Sequence, residues 1–464
     1  MSYILTNTNK STDIFEITGT SSKLVSNLTT TNSTLTTSKD LIAFTTENHI
    51  VQISRLQTGL VSPVCTISLP ADVKALEFSP LCTFLQIVTY EPEKDNLFVY
   101  RVSDQSLVYQ QRKHVPKTTN IDFQAFPVQF SADETIIIVQ RKNEIIYLTP
   151  EFTDQSSFTA YPTTTFQPMS YFVMNAFVVI AVPATKTSGK VAVFLNGEFQ
   201  FGHVNAKVDR FGFQTGTNFF LAKFIFDTGT NYYGASQLVL FNTLQNKAQV
   251  IVSDNLNCFC VFKPSNLQGT EVIVTSQQNP CKLSFTYVTP HKPSSSLIMK
   301  TVEYKHKVFI NAAYASGNIM VLRGEAGMDG EIYTCIFAGS AVKVVGKQMQ
   351  RDVTHVNICK EGIILSTQKP RFQIDNSYYV SDFTFKEQKK TEIDGIRYLQ
   401  VIGEQVVNTN KLETLPEIEI ASGAINKPVE QQTGVYVPPA LRQIQEQKQQ
   451  SQQNQSKQTK GGWF

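Results

Sequence analysis

Residues 73–109 read VKALEFSPLCTFLQIVTYEPEKDNLFVYRVSDQSLVY, and this stretch decides the fold class. Residues 73–78 alternate apolar and polar side chains, which is the pattern of a half-buried β-strand. Residues 84–90 form a continuous apolar and β-branched run, which suits a strand in the middle of a sheet. Residues 96–102 and 106–109 add two strands after short polar turns. Four short strands in such a stretch predict one blade of a β-propeller.

The same unit recurs on both sides of this stretch. Upstream, strands are predicted at residues 41–44, 49–53 and 65–68, and downstream residues 128–135 repeat the order of strand, serine and acidic turn. Further candidate blades follow at residues 166–199, 208–241, 249–287, 308–337, 353–385 and 397–420. We therefore predict an all-β protein with a single large β-propeller of about nine four-stranded blades.

The two ends of the chain have different predicted roles. Residues 3–5 and 13–17 form a strand pair that we expect to complete the last blade and close the ring, and residues 19–40 are interpreted as a Ser/Thr/Asn-rich connection. Beyond residue 426 prolines and glycines give way to a glutamine-rich sequence with little apolar content. The predicted domains are a propeller at 1–426 and a flexible C-terminal tail at 427–464.

Composition excludes several classes of protein. The formal net charge of +3 at pH 7 is too small to indicate nucleic-acid binding by bulk electrostatics. The sequence lacks a signal peptide and an apolar run of about 18 residues, which predicts a cytoplasmic protein without a membrane segment. Seven cysteines at irregular spacing indicate reduced thiols, and Cys258, Cys260 and Cys281 form at most a weak metal-site candidate.

Catalytic motifs are absent from the sequence. It contains no phosphate-binding loop, dinucleotide fingerprint, zinc-protease motif or nucleophile elbow. Its six histidines have no acidic or cysteine partners at ligand or triad spacing. We therefore predict a non-enzymatic protein without cofactor or metal, although the sites of propeller enzymes converge from several blades and carry no local motif.

Four basic residues are candidates for contact with RNA, since long basic side chains at turns and strand ends reach solvent and phosphate. They are Arg141, Lys142, Arg210 and Arg371. Arg210 begins the sequence Arg210-Phe211-Gly212-Phe213, part of the aromatic stacking motif of RNA-recognition domains. An ordinary blade strand, or a solvated turn charge, is the alternative for each.

The tail holds the most specific short sequence in the chain, Tyr436-Val437-Pro438-Pro439-Ala440-Leu441-Arg442. Its prolines favour an extended backbone that can enter a groove with little loss of entropy. The final Trp463 and Phe464 follow two glycines and present aromatic anchors. The predicted partner-binding residues of the tail are Tyr436, Pro438, Pro439, Leu441, Arg442, Trp463 and Phe464.

Taken in order, these motifs resemble the family of eukaryotic translation initiation factor 2A, which is distinct from the trimeric GTP-binding factor 2. The matching elements span residues 40–442 and lie in the family's order. They are Leu76-Glu77-Phe78-Ser79-Pro80 with Asn96-Leu97-Phe98-Val99-Tyr100, Phe130-Ser131-Ala132-Asp133-Glu134-Thr135, Tyr232-Tyr233-Gly234, Asn311-Ala312-Ala313-Tyr314 with Gly327 and Gly330, Lys369-Pro370-Arg371-Phe372-Gln373-Ile374-Asp375-Asn376, and the tail sequence ending at Arg442.

The resemblance implies a nine-bladed propeller that binds the small ribosomal subunit and assists recruitment of initiator methionyl-tRNA without GTP. It implies further contacts with mRNA and other initiation factors, and none with a membrane. The chain departs from the family in its short glutamine-rich tail, where the family has a long lysine-rich region, and in Gln373, where the family has a second arginine.

Two other functions stay open from the sequence. One is a scaffold subunit similar to the propeller-bearing b subunit of initiation factor 3, although residues 1–40 are too few for the RNA-recognition domain that begins that family. The other is a propeller hydrolase, which would show carboxylates or histidines converging at one end of the central channel.

Overall fold

In a computed structural model of the protein, the described residues form 36 β-strands arranged in nine four-stranded sheets. Each sheet is one blade, and the nine blades form a ring, so the predicted all-β propeller with nine blades is confirmed. The described residues are 2–8, 11–30, 35–38, 40–47, 49–57, 59–90, 94–112, 127–141, 144–159, 170–182, 189–205, 207–208, 210–226, 235–253, 256–264, 267, 269–277, 282–288, 298–300, 310–324, 331–338, 341–349, 352–368, 376–403, 412, 414 and 417.

Most strands fall into consecutive groups of four along the chain. The first part of the chain contains β1 (Ser2–Asn7), β2 (Ser11–Thr18), β3 (Ser21–Thr29), β4 (Leu35–Ser38), β5 (Leu41–Glu47), β6 (Ile50–Gln57), β7 (Leu60–Ser68), β8 (Val73–Phe78), β9 (Phe84–Thr89), β10 (Leu97–Arg101), β11 (Leu107–Gln111), β12 (Val128–Phe130), β13 (Ile137–Arg141), β14 (Glu144–Leu148) and β15 (Asp154–Thr159). The middle part contains β16 (Ser170–Met174), β17 (Phe177–Val182), β18 (Gly189–Leu195), β19 (Glu198–Asn205), β20 (Arg210–Thr215), β21 (Phe219–Phe226), β22 (Ala235–Asn242), β23 (Lys247–Val252), β24 (Leu256–Phe262), β25 (Glu271–Gln277), β26 (Lys282–Val288) and β27 (Ile298–Lys300). The last part contains β28 (Ile310–Ser316), β29 (Ile319–Gly324), β30 (Glu331–Ala338), β31 (Ala341–Met349), β32 (His355–Ile358), β33 (Ile363–Thr367), β34 (Ser377–Ser381), β35 (Gln388–Glu392) and β36 (Tyr398–Gly403).

Blades 1 to 8 take consecutive strands, from β4–β7 in blade 1 to β32–β35 in blade 8, and blade 9 consists of β36 followed by β1, β2 and β3. The first strand of a blade contacts the first strand of a neighbouring blade, as β4 contacts β8 and β28 contacts β32, so it is the innermost strand. All pairs within a blade are antiparallel. We call the face of the ring at which each innermost strand begins the top face, and the face at which it ends the bottom face.

The stretch that decided the fold class forms blade 2, and its turn recurs in blade 3. The hydroxyl oxygen of Ser79 accepts a hydrogen bond from the N–H of Phe84 at 2.9 Å, and that of Ser131 accepts one from Ile136 at 2.9 Å. Both turns contain a residue at positive φ, Cys82 at 64° and Glu134 at 57°. The order of strand, serine and turn therefore has the same local structure in both blades.

The hydrophobic core is divided among the boundaries between blades. Within the described residues, nine clusters of buried apolar side chains each join one blade to the next around the ring. Successive side chains of a strand point to opposite faces, so a central strand contributes to two clusters and is apolar throughout. The second strands β9, β29 and β33, buried along their whole length, show this pattern.

The N-terminal strand closes the ring, as the sequence predicted. β1 pairs with β36 along its whole length, from Ser2 opposite Gly403 to Asn7 opposite Tyr398. The N–H of Arg397 also donates to the carbonyl of Asn7 at 2.9 Å. Blade 9 is therefore built from both ends of the described chain. The edge of its innermost strand β36 that faces the rest of the blade is paired with β1.

Two sequence predictions near the ends of the ring were wrong. Residues 19–40 are not a plain connection, because they contain β3, the outermost strand of blade 9, and β4, the innermost strand of blade 1. Residues 397–420 do not supply a whole blade, because β36 is the strand they contribute within the described residues. The outermost β3 is exposed along much of its length, so serine and threonine are tolerated there and no apolar alternation marks it.

The described residues lie within the unit Met1–Ile420. The predicted domain boundary after residue 426 and the tail at 427–464 lie outside them and stay predictions. The described part of the chain contains no helix long and apolar enough to cross a membrane.

Candidate functional site

Two of the four predicted RNA-contacting residues stand at strand ends on the top face. Arg141 is the last residue of β13, the second strand of blade 3, which ends at the top face. Arg210 is the first residue of β20, the innermost strand of blade 5, which begins there. Lys142 and Arg371 lie outside the described residues, but the strands that precede them, β13 and β33, both end at the top face.

The guanidinium of Arg141 is held between two blades. Nη1 lies 2.6 Å from Oδ2 of Asp154 on β15, and Nη2 donates to the hydroxyl of Tyr109 on β11 at 3.3 Å. The side chains of Arg141 and Asp154 are 38% and 55% exposed, so this ion pair is open to solvent. A phosphate that binds Arg141 would therefore compete with Asp154 for the same guanidinium.

The aromatic residues after Arg210 pack inside the propeller. Phe211 and Phe213 are stacked with ring centroids 6.1 Å apart, and both pack against the cluster between blades 4 and 5. Phe211 contacts Phe224 at 5.1 Å and Phe213 contacts Phe172 at 5.4 Å, both edge to face. These contacts favour an ordinary blade strand, and the side chain of Arg210 lies outside the described part of the structure.

The tail candidates Tyr436, Pro438, Pro439, Leu441, Arg442, Trp463 and Phe464 all lie outside the described residues, so their binding role stays a prediction. The described chain before them is at the bottom face, because β36 ends there at Gly403. Leu412 packs against the cluster that contains Phe383 and Phe385, in the connection at the bottom of blade 8. The chain thus leaves the last strand on the face opposite Arg141.

Sequence reasoning missed a polar contact that joins neighbouring blades near the top face. In several blades a polar side chain on the second strand donates to a backbone carbonyl at or next to the start of the following blade's innermost strand. The pairs are Gln86 to Val128 at 2.8 Å, Lys223 to Asn257 at 2.9 Å, Ser276 to Ile310 at 3.0 Å, and Arg323 to Val353 at 2.7 Å. The signal in the sequence is a polar residue that interrupts an otherwise apolar second strand.

Arg323 is the member of this set that is both charged and buried, since Gln86 and Ser276 are neutral and Lys223 is only half-buried. It is 7% exposed, and its Nη1 donates to Val353 while its Nε is buried without a hydrogen-bond partner. None of the ion pairs formed between described residues includes it. The boundary between blades 7 and 8 therefore contains a guanidinium whose charge the described chain does not balance.

A hydrogen-bond network orders the backbone next to Arg323. Thr354 Oγ1 donates to the carbonyl of Ser366 at 3.0 Å and accepts from the N–H of Gln368 at 3.0 Å. Its single proton is thus used, so His355 Nδ1, at 3.0 Å from Thr354 Oγ1, is the donor in that pair. Desolvation and, secondarily, the charge of Arg323 lower the pKa of His355, which keeps its imidazole neutral near pH 7.

The described thiols and carboxylates elsewhere show no metal-binding arrangement. Within the described residues no group of three or more His, Cys, Asp or Glu side chains is placed to hold a metal ion. Burial raises the pKa of Cys335 and of Cys359 to about 12, and it also raises the pKa of Cys260, so these thiols stay protonated. Cys281 lies outside the described part.

Glu77 is an acidic residue on an innermost strand. It belongs to β8, opposite Gln86 on β9, and desolvation raises its pKa to about 7. Among the described residues Glu77 forms no ion pair.

Comparison with known proteins finds a solved structure of similar fold. No family model and no curated protein matches the sequence. A crystal structure described as that of the eukaryotic initiation factor is similar with a TM-score of 0.67 and 14% identity, over 86% of this chain and 98% of that one. The Dos1 propeller is similar at a TM-score of 0.39 with 13% identity, over 70% and 85% of the two chains. The computationally designed Ika8 protein gives 0.37 and 12%, over 72% and 92%.

Proposed function

We propose that this propeller is a non-enzymatic translation initiation factor, which binds the small ribosomal subunit in the cytoplasm and assists GTP-independent recruitment of initiator methionyl-tRNA. Its partners would be the subunit, initiator tRNA, mRNA and other initiation factors. The fold is a nine-bladed ring, and a rigid ring of this kind is suited to present loops and strand ends to a large partner.

One observation carries the proposal. The crystal structure of an initiation factor aligns with 86% of this chain at a TM-score of 0.67. That likeness concerns the fold, and the motifs from Leu76-Glu77-Phe78-Ser79-Pro80 to the tail sequence ending at Arg442 add a resemblance to initiation factor 2A that keeps the family's order. The likeness of fold uses backbone geometry, whereas the motif resemblance uses residue identity.

The basic residues and the tail residues form two predicted sets that would contact different partners. Arg141 and Arg210 are at the top face, whereas β36 ends at the bottom face ahead of the predicted tail. In the proposal, basic residues at the top face contact RNA phosphates, and the aromatic and proline residues of the tail bind a protein or RNA groove. Lys142 and Arg371 belong to the first set by sequence alone.

The test is co-sedimentation of the purified chain with isolated small ribosomal subunits, with and without initiator tRNA, over a series of salt concentrations. We expect the full-length chain to sediment with the subunit, with an affinity that falls as salt rises. A chain of residues 1–426 separates the two sets: retained binding assigns docking to the propeller, and lost binding assigns it to the tail. Failure of the full-length chain to sediment with the subunit at physiological salt would refute the proposal and favour the scaffold subunit or the hydrolase.

A further inference from the structure

We propose that the top face holds a phosphate-binding site at the boundary between blades 7 and 8, with the guanidinium of Arg323 as its central group. The ligand class is a phosphate group, either free or in the backbone of RNA. Nothing in the sequence motifs singled out this residue, and the inference follows from its surroundings in the fold.

Arg323 has more hydrogen-bond donors than the contact between the blades uses. Arg323 provides five N–H donors, and the contact with the next blade uses Nη1 toward Val353 at 2.7 Å. In blades 2 and 6 the same kind of contact is made by the neutral side chains of Gln86 and Ser276. Since a neutral donor is sufficient to join two blades, the guanidinium and its unpartnered Nε exceed what the fold requires.

The buried positive charge of Arg323 is costly in free energy. A buried cation without an anionic partner is strongly unfavourable unless a ligand or a carboxylate balances it. Arg323 is 93% buried, as its 7% exposure implies, and no ion pair between described residues includes it. An anionic ligand would supply both the missing charge and the missing hydrogen-bond acceptors.

The position and orientation of Arg323 suit a ligand at the top face. Arg323 is the penultimate residue of β29, and that strand ends at the top face, so the proposed anion would approach from that side. The hydrogen bond to Val353 fixes one edge of the guanidinium, and the Thr354 network orders the backbone next to that carbonyl. A fixed planar fork binds phosphate through two parallel hydrogen bonds, which an ammonium group cannot do.

The inference deepens the proposed function and rests on it where the phosphate belongs to RNA. The phosphate site itself does not require ribosome binding. If the chain fails to sediment with the subunit but still binds inorganic phosphate, the proposed function fails and the site remains.

The experiment measures binding of inorganic phosphate to the full-length chain by calorimetry and by thermal unfolding, against acetate and chloride at equal ionic strength. The key variant is Arg323→Gln, which keeps an amide donor toward Val353, as Gln86 does in blade 2. Arg323→Lys keeps the charge without the fork, and it serves as a second variant in case Arg323→Gln does not fold. Lys223→Gln is the matched control, because Lys223 makes the same inter-blade contact in blade 5.

We expect phosphate to raise the unfolding temperature of the wild type and of Lys223→Gln more than chloride does. Loss of two charge-assisted hydrogen bonds should weaken phosphate binding by Arg323→Gln at least about tenfold, with Arg323→Lys in between. In phosphate-free buffer Arg323→Gln should unfold at the wild-type temperature or above it, since the uncompensated charge is gone. Equal phosphate affinity of the wild type and Arg323→Gln, or equal binding of acetate and phosphate, would overturn the assignment.

A second arm identifies the source of the phosphate. A short oligouridylate that displaces phosphate from the wild type, and binds Arg323→Gln about tenfold more weakly, assigns the site to RNA backbone. An oligouridylate that does not displace phosphate overturns that assignment and leaves a site for free phosphate or a nucleotide.

Discussion

Both carboxylate oxygens of Glu271 lie within hydrogen-bond distance of the backbone N–H of Thr217, at 2.9 and 3.0 Å, across the boundary between blades 5 and 6. Glu271 is the first residue of β25 and is 2% exposed. The adjacent Gly216 leaves room for this approach, because a Cβ at that position would lie 2.1 Å from Glu271 Oε2. The buried acid and the glycine are therefore parts of one contact.

This relationship predicts non-additive mutations. We expect Glu271→Ala to lower the free energy of unfolding by about 1 to 3 kcal/mol, because the N–H of Thr217 loses its buried acceptor. Gly216→Ala should cost a similar amount through the clash with Glu271. In the double variant the clash with Glu271 is absent and only the contact of the new methyl with the Phe219 ring, at 2.8 and 2.9 Å, remains, so its loss should be smaller than the sum of the single losses. Urea unfolding of the wild type, the two single variants and the double variant measures the four free energies of unfolding. Strict additivity of the losses would contradict the coupling between Glu271 and Gly216.

Glu77 predicts a pH dependence of stability. Its pKa is about 7 in the folded protein and about 4.5 when unfolded, so the folded state binds the proton more tightly. Stability from this residue is thus fully present below about pH 4.5 and is lost as the pH rises to about 7, by up to about 3 kcal/mol. Glu77→Gln should therefore be more stable than the wild type near pH 8 and equal to it near about pH 4. If the difference in stability between Glu77→Gln and the wild type were the same at both pH values, the raised pKa of Glu77 would be refuted.

Arg141 and Asp154 predict a change in binding without a change in fold. Because the ion pair is largely exposed, Asp154→Asn should alter the free energy of unfolding by less than about 1 kcal/mol. Asp154→Asn should also strengthen binding to the small subunit, since the competing carboxylate is gone. Arg141→Gln should weaken binding and reduce the slope of log affinity against log salt concentration by about 1. Asp40→Asn, which breaks the bottom-face pair with Arg55 at 3.1 Å, is the control. Equal effects of Asp154→Asn and Asp40→Asn would show that Arg141 does not face RNA.

Closure of the ring predicts a difference between two leucines of blade 9. Leu5 on β1 is 0% exposed and packs at the boundary with blade 1, whereas Leu24 on β3 is 50% exposed. Leu5→Ala should lower the free energy of unfolding by about 2 to 5 kcal/mol through the cavity it leaves. Leu24→Ala should stay within about 0.5 kcal/mol of the wild type. Chemical unfolding of both variants measures these losses. A small effect of Leu5→Ala would mean that blade 9 contributes little to the stability of the ring.

The tail predicts loss of binding without loss of stability. Joint replacement of Tyr436→Ala and Arg442→Ala should leave the unfolding temperature nearly unchanged and weaken partner binding, because the tail is expected to add little buried core. Co-sedimentation with the small subunit and a thermal melt of the same sample test both parts. A large fall in the unfolding temperature would show instead that this segment packs on the propeller.

The fold was predictable because its inner strands are buried on both sides. Residues 84–90 formed an apolar run that matches β9, Phe84–Thr89, and the serine turn after residues 73–78 recurs after β12. Outermost strands carry no such signal. β3, Ser21–Thr29, is half solvent-exposed and rich in serine, so its sequence resembles a connection until its partner β2 is known.

The candidate site was less predictable, for a different physical reason. Arg323 was visible in the sequence as a charged residue in an apolar strand, but its acceptor is the backbone carbonyl of Val353, which every residue type provides. The pairing of Arg141 with Asp154 depends likewise on how two strands approach in space. Sequence periodicity locates such residues on strands, and the packing of blades selects their partners.

The pairing of Ser2 with Gly403 imposes an order of events on synthesis. β1 leaves the ribosome first, and its partner β36 follows roughly 400 residues later, which takes about 20 to 80 s at cellular translation rates. During that interval β1 has an unpaired edge while eight blades can already form from β4 onward. The nascent chain is thus an open arc with two free ends, and its period of greatest vulnerability to misassembly ends when β36 emerges.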